Sequence, residues 1–145
     1  MASLIGIAFK TEKRGQIITV EQAQVTQAKG VENDIFGRPG KRQVTVMSIQ
    51  QWQLACNDVG KTLPWFTRRA NLLVDGISFS SKDLGKQLVI GELILEITGE
   101  TDPCKKMEQA YPGLEAALLP DWRGGVTCRV LNDAKIQINA PVDLA

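Results

Sequence analysis

Apolar residues in this chain come in short bursts, set apart by glycine, proline, asparagine and aspartate. Inside several bursts they alternate with polar residues. "RQVTVMS", Arg42 to Ser48, alternates Val44 and Val46 with polar partners, the period of two that marks a half-buried strand. "LIGIAFK" from Leu4, "QIITV" around Ile17 to Val20, and "NLLVDGISF", with a turn at Asp75-Gly76, read as further strands. "KQLVIGELILEITG" reads as a hairpin, because Gly91-Glu92 is a glycine-first pair suited to a two-residue type II′ turn. "GVTCRVLNDAKIQIN" reads as a second hairpin, turning near Asn132-Asp133. So many short strands predict a mainly β domain, a barrel or a sandwich.

One segment follows a different period. In "SIQQWQLACNDVG", Ile49, Trp52, Ala55, Cys56 and Val59 fall on one helical face, which predicts a helix over Ser48 to Val59 with Trp52 buried. Ser48 and Gln51 have capping-box spacing, and Gly60 is placed to end the helix. "PGLEAALL" predicts a second, shorter helix, opened by Pro112 and stopped by Pro120. "DIFGRPGKRQ" is a loop too short to divide domains. With 145 residues, no repeat and no low-complexity tract, the expectation is one domain over 1–145.

Composition narrows the chemistry. Seventeen basic residues face sixteen acidic ones, for a net charge of +1, so nucleic acid is not an expected partner. No apolar run approaches the roughly 20 residues that span a bilayer. The N-terminus reads as a strand rather than a signal peptide, and a cytoplasmic location is expected. Three widely spaced cysteines fit a reducing compartment better than a disulfide framework, and no CxxC exists to hold zinc. There is no histidine, which removes Ser-His-Asp and Cys-His catalysis.

The cysteines differ in setting. Cys56 lies on the apolar face of the predicted helix, and Cys128 alternates in phase with Val126 and Val130, so both read as core. Cys104, in "TDPCKKM", follows a rigid proline and has no apolar periodicity around it. Lys105 and Lys106 supply ammonium groups that favour a thiolate there. Arginines form the second signal. Arg68 and Arg69 stand just ahead of the "NLLVDGISF" strand, and in extended chain Arg69 and Asn71 share a face. Arg129 is a lone charge in an apolar strand. Arg123 stands beside Gly124 and Gly125, which allow close backbone approach to a ligand. Arg69, Asn71, Arg123 and Arg129 are therefore expected to converge on one cavity with Cys104, a basic site for an anionic ligand. No phosphate-loop or dinucleotide fingerprint is present.

"TDPCKKM", followed by "RGGVTCRVL", resembles the signature of the MOSC domain, the module at the C-terminus of molybdenum cofactor sulfurases. "KGVENDIFGRPGKRQVTVMS", "TRRANLLVDGISF" and "LGKQLVIGELILEIT" are similar to earlier segments of that family, in family order from about Lys29 onward. Ala134 and Asn139-Ala140 stand where the family commonly has glycine and Gly-Asp. The resemblance implies a MOSC-type β-barrel with one or two short helices that binds the molybdenum cofactor, a pyranopterin. It implies that Cys104 ligates molybdenum or carries sulfur, and that Arg68, Arg69, Asn71, Lys105, Arg123, Gly125 and Arg129 hold the cofactor. No lysine has a pyridoxal-phosphate context, so that cofactor is expected only on a separate cysteine desulfurase. Three functions stay open: a cofactor-binding or sulfur-carrier module with a molybdoenzyme client; a molybdenum reductase of N-hydroxylated substrates fed by an electron-donor protein; and a non-catalytic β-barrel interaction protein.

Overall fold

The computed structural model describes residues 2–145. The predicted strands form, and the chain adds several that its pattern marks only weakly. In order they are β1 (Ser3–Phe9), β2 (Ile18–Val20), β3 (Gln22–Thr26), β4 (Gly30–Val31), β5 (Val44–Ser48), β6 (Leu72–Asp75), β7 (Gln87–Ile90), β8 (Leu93–Glu100), β9 (Val126–Val130), β10 (Ala134–Gln137) and β11 (Val142–Leu144). Eight of them make one sheet, in the order β11-β7-β8-β9-β5-β6-β1-β2, and β10-β3-β4 make a second. The fold is mainly β.

The large sheet curls like a half-barrel. Its curl brings the start of β1 to the residues just before β11, where the Leu4 N–H donates to Ala140 O at 2.9 Å and the Asn139 N–H to Leu4 O at 2.8 Å. Inside lies the main core, with Leu4, Ile7, Val44, Val46, Leu72, Val74, Leu95, Ile97, Val126 and Cys128 shielded from solvent. Alternation drives this. Along β8 every second residue from Leu93 to Ile97 is buried, and those between are half-exposed. The β7–β8 hairpin turns where expected, with Gly91 at φ 58°, a conformation that favours glycine.

The second expected hairpin does not exist. β9 is an interior strand between β8 and β5, while β10 pairs with β3 in the other sheet. The chain changes sheets at Asn132-Asp133, and those side chains fix the corner. Asn132 Oδ1 accepts from the Ile94 N–H at 2.8 Å, and Asp133 Oδ1 from the Gln27 N–H at 2.8 Å. Their polarity serves a corner between sheets rather than a tight turn.

Only one neighbouring pair in the large sheet, β5–β6, is parallel, and helix α1 (Ile49–Val59) forms part of its crossover. Ser48 caps α1 by accepting from the Gln51 N–H, and Gly60 ends it at φ 71°. Trp52 is buried at 2% exposure, with its indole N–H donating to Leu63 O. The capping box is half made, because the Gln51 side chain is committed elsewhere. Its Nε2 donates to Phe79 O and Asp121 O, and its Oε1 accepts from the Phe79 N–H.

Among the described residues there are three α-helices where one or two were expected. α2 (Lys105–Ala110) begins directly after Cys104, inside a stretch with no strong apolar period, and buries Met107. α3 (Leu114–Leu118) replaces the helix predicted from Pro112, since Gly113, at φ 89°, caps it instead. These two pack with α1 over a second core of Met47, Trp52, Leu73, Leu114 and Leu118 on the outer side of β5 and β6.

Replacing Gln51 by Met keeps the side chain's bulk and strips three backbone groups of their partner. Gln51→Met should destabilise the domain by about 2–4 kcal/mol, read as a lower urea midpoint at an unchanged slope.

Candidate functional site

One cavity, of about 500 Å³, opens between β6, the loop before β5, and the start of α2. Arg68, Arg69, Asn71 and Cys104 all line it, together with Thr101, Asp102, Lys106 and Met107. Lys10 and Arg42 bring further positive charge. Five cations against the carboxylates of Asp34 and Asp102 leave the lining at +3.

Cys104 is exposed, whereas Cys56 and Cys128 are buried. Burial pushes the Cys128 thiol far above its ordinary range. The backbone that carries Cys104 is held from below by Arg68, itself only 5% exposed. Arg68 Nη2 donates to Thr101 O and to Asp102 O, each at 3.3 Å, and Nε donates to Gly124 O at 3.4 Å. Among the described residues no carboxylate lies within ion-pair distance of Arg68. Burial therefore lowers its guanidinium below the ordinary value, opposed first by the Cys104 sulfur, with Arg69 and Arg42 pressing the same way as burial. A buried cation whose hydrogen-bond partners are all carbonyls favours an anion that enters beside it. Next to it, the Thr101 hydroxyl is buried and has no partner. Both groups border the cavity.

Asn71 lines the cavity without being free to serve a ligand. Its Oδ1 accepts from the Thr45 N–H at 3.0 Å and from the Thr45 hydroxyl at 3.3 Å. Its Nδ2 donates to Ala8 O at 3.2 Å and to Asp34 Oδ2 at 3.0 Å. All four positions of the amide are taken, so Asn71 joins β1, β5 and the 34-loop and aims Asp34.

Four expected residues lie outside the lining. Arg123 turns away, with Nη1 on Asp58 Oδ2 and Ala117 O, and ties the segment after α3 to α1. Arg129 sits on the exposed face of β9, opposite Glu96 at 3.8 Å, a solvated cross-strand pair worth about 0–1 kcal/mol. Lys105 is exposed and only its neighbour Lys106 reaches the cavity. Gly125 serves backbone packing. At φ 94° it lies so close to β5 that a Cβ would stand 2.3 Å from Val46 O, and its own carbonyl accepts from the Thr101 N–H. A Cβ on Gly124 would stand 2.4 Å from Thr101 O. The glycine pair admits the Cys104 segment to the sheet rather than a ligand to the backbone. The expected convergence thus holds for Arg69, Asn71 and Cys104 and fails for Arg123 and Arg129.

Sequence reading missed Thr101, Asp34, Phe36, Lys10 and Arg42. Thr101 and Asp34 stand within segments already singled out, but nothing in their spacing marks them. The Arg69 guanidinium lies over the Phe36 ring, 4.1 Å from its centre, and so joins the 34-loop to the start of β6.

A mainly β domain with an exposed thiol at the mouth of a cationic cavity is the class this geometry defines. The chain belongs to the MOSC domain family, whose model matches residues 33–143. Its fold is similar to that of the YuaD protein from Bacillus subtilis, with a TM-score of 0.82 at 17% identity over 99% of this chain and 96% of that one. YiiM from Geobacillus stearothermophilus is similar with a TM-score of 0.77 at 18% identity, over 100% of this chain and 75% of that one. YiiM from Escherichia coli gives 0.72 at 16% identity, over 99% and 69%. No curated protein matches the sequence. No helix among the described residues is long and apolar enough to cross a membrane.

Two outcomes are expected at this site. In the native protein Cys104 should react with iodoacetamide at least about tenfold faster than Cys56 or Cys128, whose labelling waits on local opening; peptide mass spectrometry at timed quenches reads the order. Arg68→Lys keeps a charge but loses the fork that grips three carbonyls. It should cost about 1–3 kcal/mol and raise amide exchange across residues 101–106, with little change in β7 and β8.

Proposed function

We propose that this domain binds the pyranopterin molybdenum cofactor in the cationic cavity, with Cys104 as its sulfur ligand or as a carrier of sulfur for its maturation. The observation that carries this reading is the buried Arg68, without a carboxylate partner, beneath an exposed Cys104 and beside the unpartnered Thr101 hydroxyl.

The residues fit such a group. Among the described residues no cluster of three acidic or sulfur ligands exists to hold a bare metal ion. A metal here must arrive with most of its ligands, leaving one position for a soft thiolate. The cavity volume lies within the range of about 300–1,000 Å³ usual for small-molecule sites. Arg42, Arg69, Lys106 and Lys10 are the residues that would hold a phosphate and offset the ligand's charge, and the Thr101 hydroxyl supplies a short-range donor. When bound, the cofactor supplies the redox-active metal and the sulfur chemistry. The chain supplies the thiolate, its fixed position above Arg68, and the anion field. A carrier role implies a molybdoenzyme client and a cysteine desulfurase as sulfur source. A reductase role implies an external electron donor, and turnover of an N-hydroxylated substrate with an artificial donor separates the two.

The test is retention of the cofactor by protein made in a host that synthesises it. Molybdenum measured by mass spectrometry, and pterin measured by fluorescence after oxidation, should both copurify with the wild type. Cys104→Ser should lose most of its molybdenum while melting as the wild type does, because the side chain is exposed. Arg42→Ala with Arg69→Ala should lose pterin and molybdenum together. Wild-type protein carrying neither, or a Cys104→Ser protein with undiminished molybdenum, contradicts the reading.

A further inference from the structure

The cavity holds one feature at odds with its charge. Asp34 is a half-buried carboxylate in a lining of net +3, yet none of those cations pairs with it. It is held by neutral donors instead. Asn71 Nδ2 donates to Oδ2 at 3.0 Å, and the Lys10 backbone N–H donates to Oδ1 at 3.4 Å. Each contact uses one lone pair and leaves another on each oxygen. The Phe36 ring, with Arg69 stacked on it, borders the same cavity, and Phe9, Ile17 and Ala70 add apolar surface there.

A rigid carboxylate beside a stacked aromatic–guanidinium pair has a specific complement. It is a flat heterocycle whose edge presents two adjacent N–H donors, an amino group and a ring N–H, as in a 2-amino-4-oxopyrimidine ring. The carboxylate accepts both donors side by side, in the geometry it uses with a guanidinium fork. An oxyanion would be repelled by Asp34, and an adenine-like edge would set an acceptor against it. We propose that Asp34 reads the aminopyrimidine edge of the cavity's ligand, that Phe36 and Arg69 form the platform for its ring, and that Asn71 is the positioning residue for Asp34. This rests on the cofactor reading above and adds to it which wall takes the ring: the 34-loop, with the Cys104–Thr101–Arg68 side left for the anionic, metal-bearing part.

Two fluorescent probes that differ at one position test this without the loaded cofactor. Pterin-6-carboxylate carries the 2-amino group, and lumazine-6-carboxylate has an oxygen there on the same flat ring. Wild-type protein should bind the pterin at least about tenfold tighter, because a site built to accept two hydrogen bonds rejects an analogue that lacks one. Asp34→Asn should bring the ratio to within about threefold of unity. Phe36→Leu should weaken both ligands alike and keep the ratio, which a folding defect confined to Asp34→Asn would not produce. Equal wild-type affinity for the two probes overturns the proposal. So does protein that binds neither probe, or an Asp34→Asn variant that melts normally and still discriminates. Retention of molybdenum and pterin in the copurification experiment, alongside equal affinity for the probes, would overturn the role of Asp34 while leaving the cofactor reading standing.

Discussion

Arg68 is the group on which the geometry of this molecule turns. Its guanidinium is buried, has no carboxylate partner, and spends its N–H groups on the carbonyls of Thr101, Asp102 and Gly124. Those carbonyls belong to the segment leading into α2 and the segment leading into β9. The β8–β9 ladder and the bond from the Thr101 N–H to Gly125 O already bring these segments together; without the arginine, three carbonyl groups at their junction lose a donor. The cost of burying the charge is offset by those dipoles and, at longer range, by Cys104 and Asp102, with no carboxylate at ion-pair distance among the described residues. A single residue thus braces the loop that carries Cys104 and adds to the positive charge that Lys10, Arg42, Arg69 and Lys106 give the neighbouring space.

The same economy recurs in neutral form. Gln43, Gln51 and Asn71 are buried, and each joins backbone groups from distant parts of the chain. Gln43 donates to Gln27 O and Gly37 O and accepts from the Val130 N–H. A chain that passes repeatedly between two sheets leaves backbone groups unpaired at the crossings, where water does not reach them. Side-chain amides, with a donor and an acceptor on one short stem, fill that need. Asn71 saturates itself on Ala8, Thr45 and Asp34, and so fixes the direction of the Asp34 carboxylate in the cavity lining.

Strands and α1 were legible because periodicity is local. Val44 and Val46 are buried together at a spacing of two, and Trp52, Ala55 and Cys56 at the spacing of a helix. The three thiols sorted correctly for the same reason. Pairing was not legible, because β9 and β10 are adjacent in sequence and each bonds to strands far away; a turn-like Asn-Asp fits a corner between sheets as well as a hairpin. α2 escaped notice because its stability comes from the burial of Met107 on a distant core rather than from its own pattern. Arg129 was misread because a charge in an apolar strand faces either water or a pocket, and sequence does not say which: it faces water beside Glu96. Arg123 was misread through its neighbouring glycines, and its side chain is taken up by Asp58. Glycine carried a similar ambiguity at Gly125, since close approach to a ligand and close approach to β5 demand the same missing Cβ.

β9 is an interior strand, bonded on one side to β5 and on the other to β8, and it is the last strand to join the middle of the sheet. A ribosome making this protein has released β1 through β8 and Cys104 before Val126–Val130 emerge. Until then β5 and β8 have no strand between them. The Cys104 segment is therefore made before the strand that completes the sheet beside it.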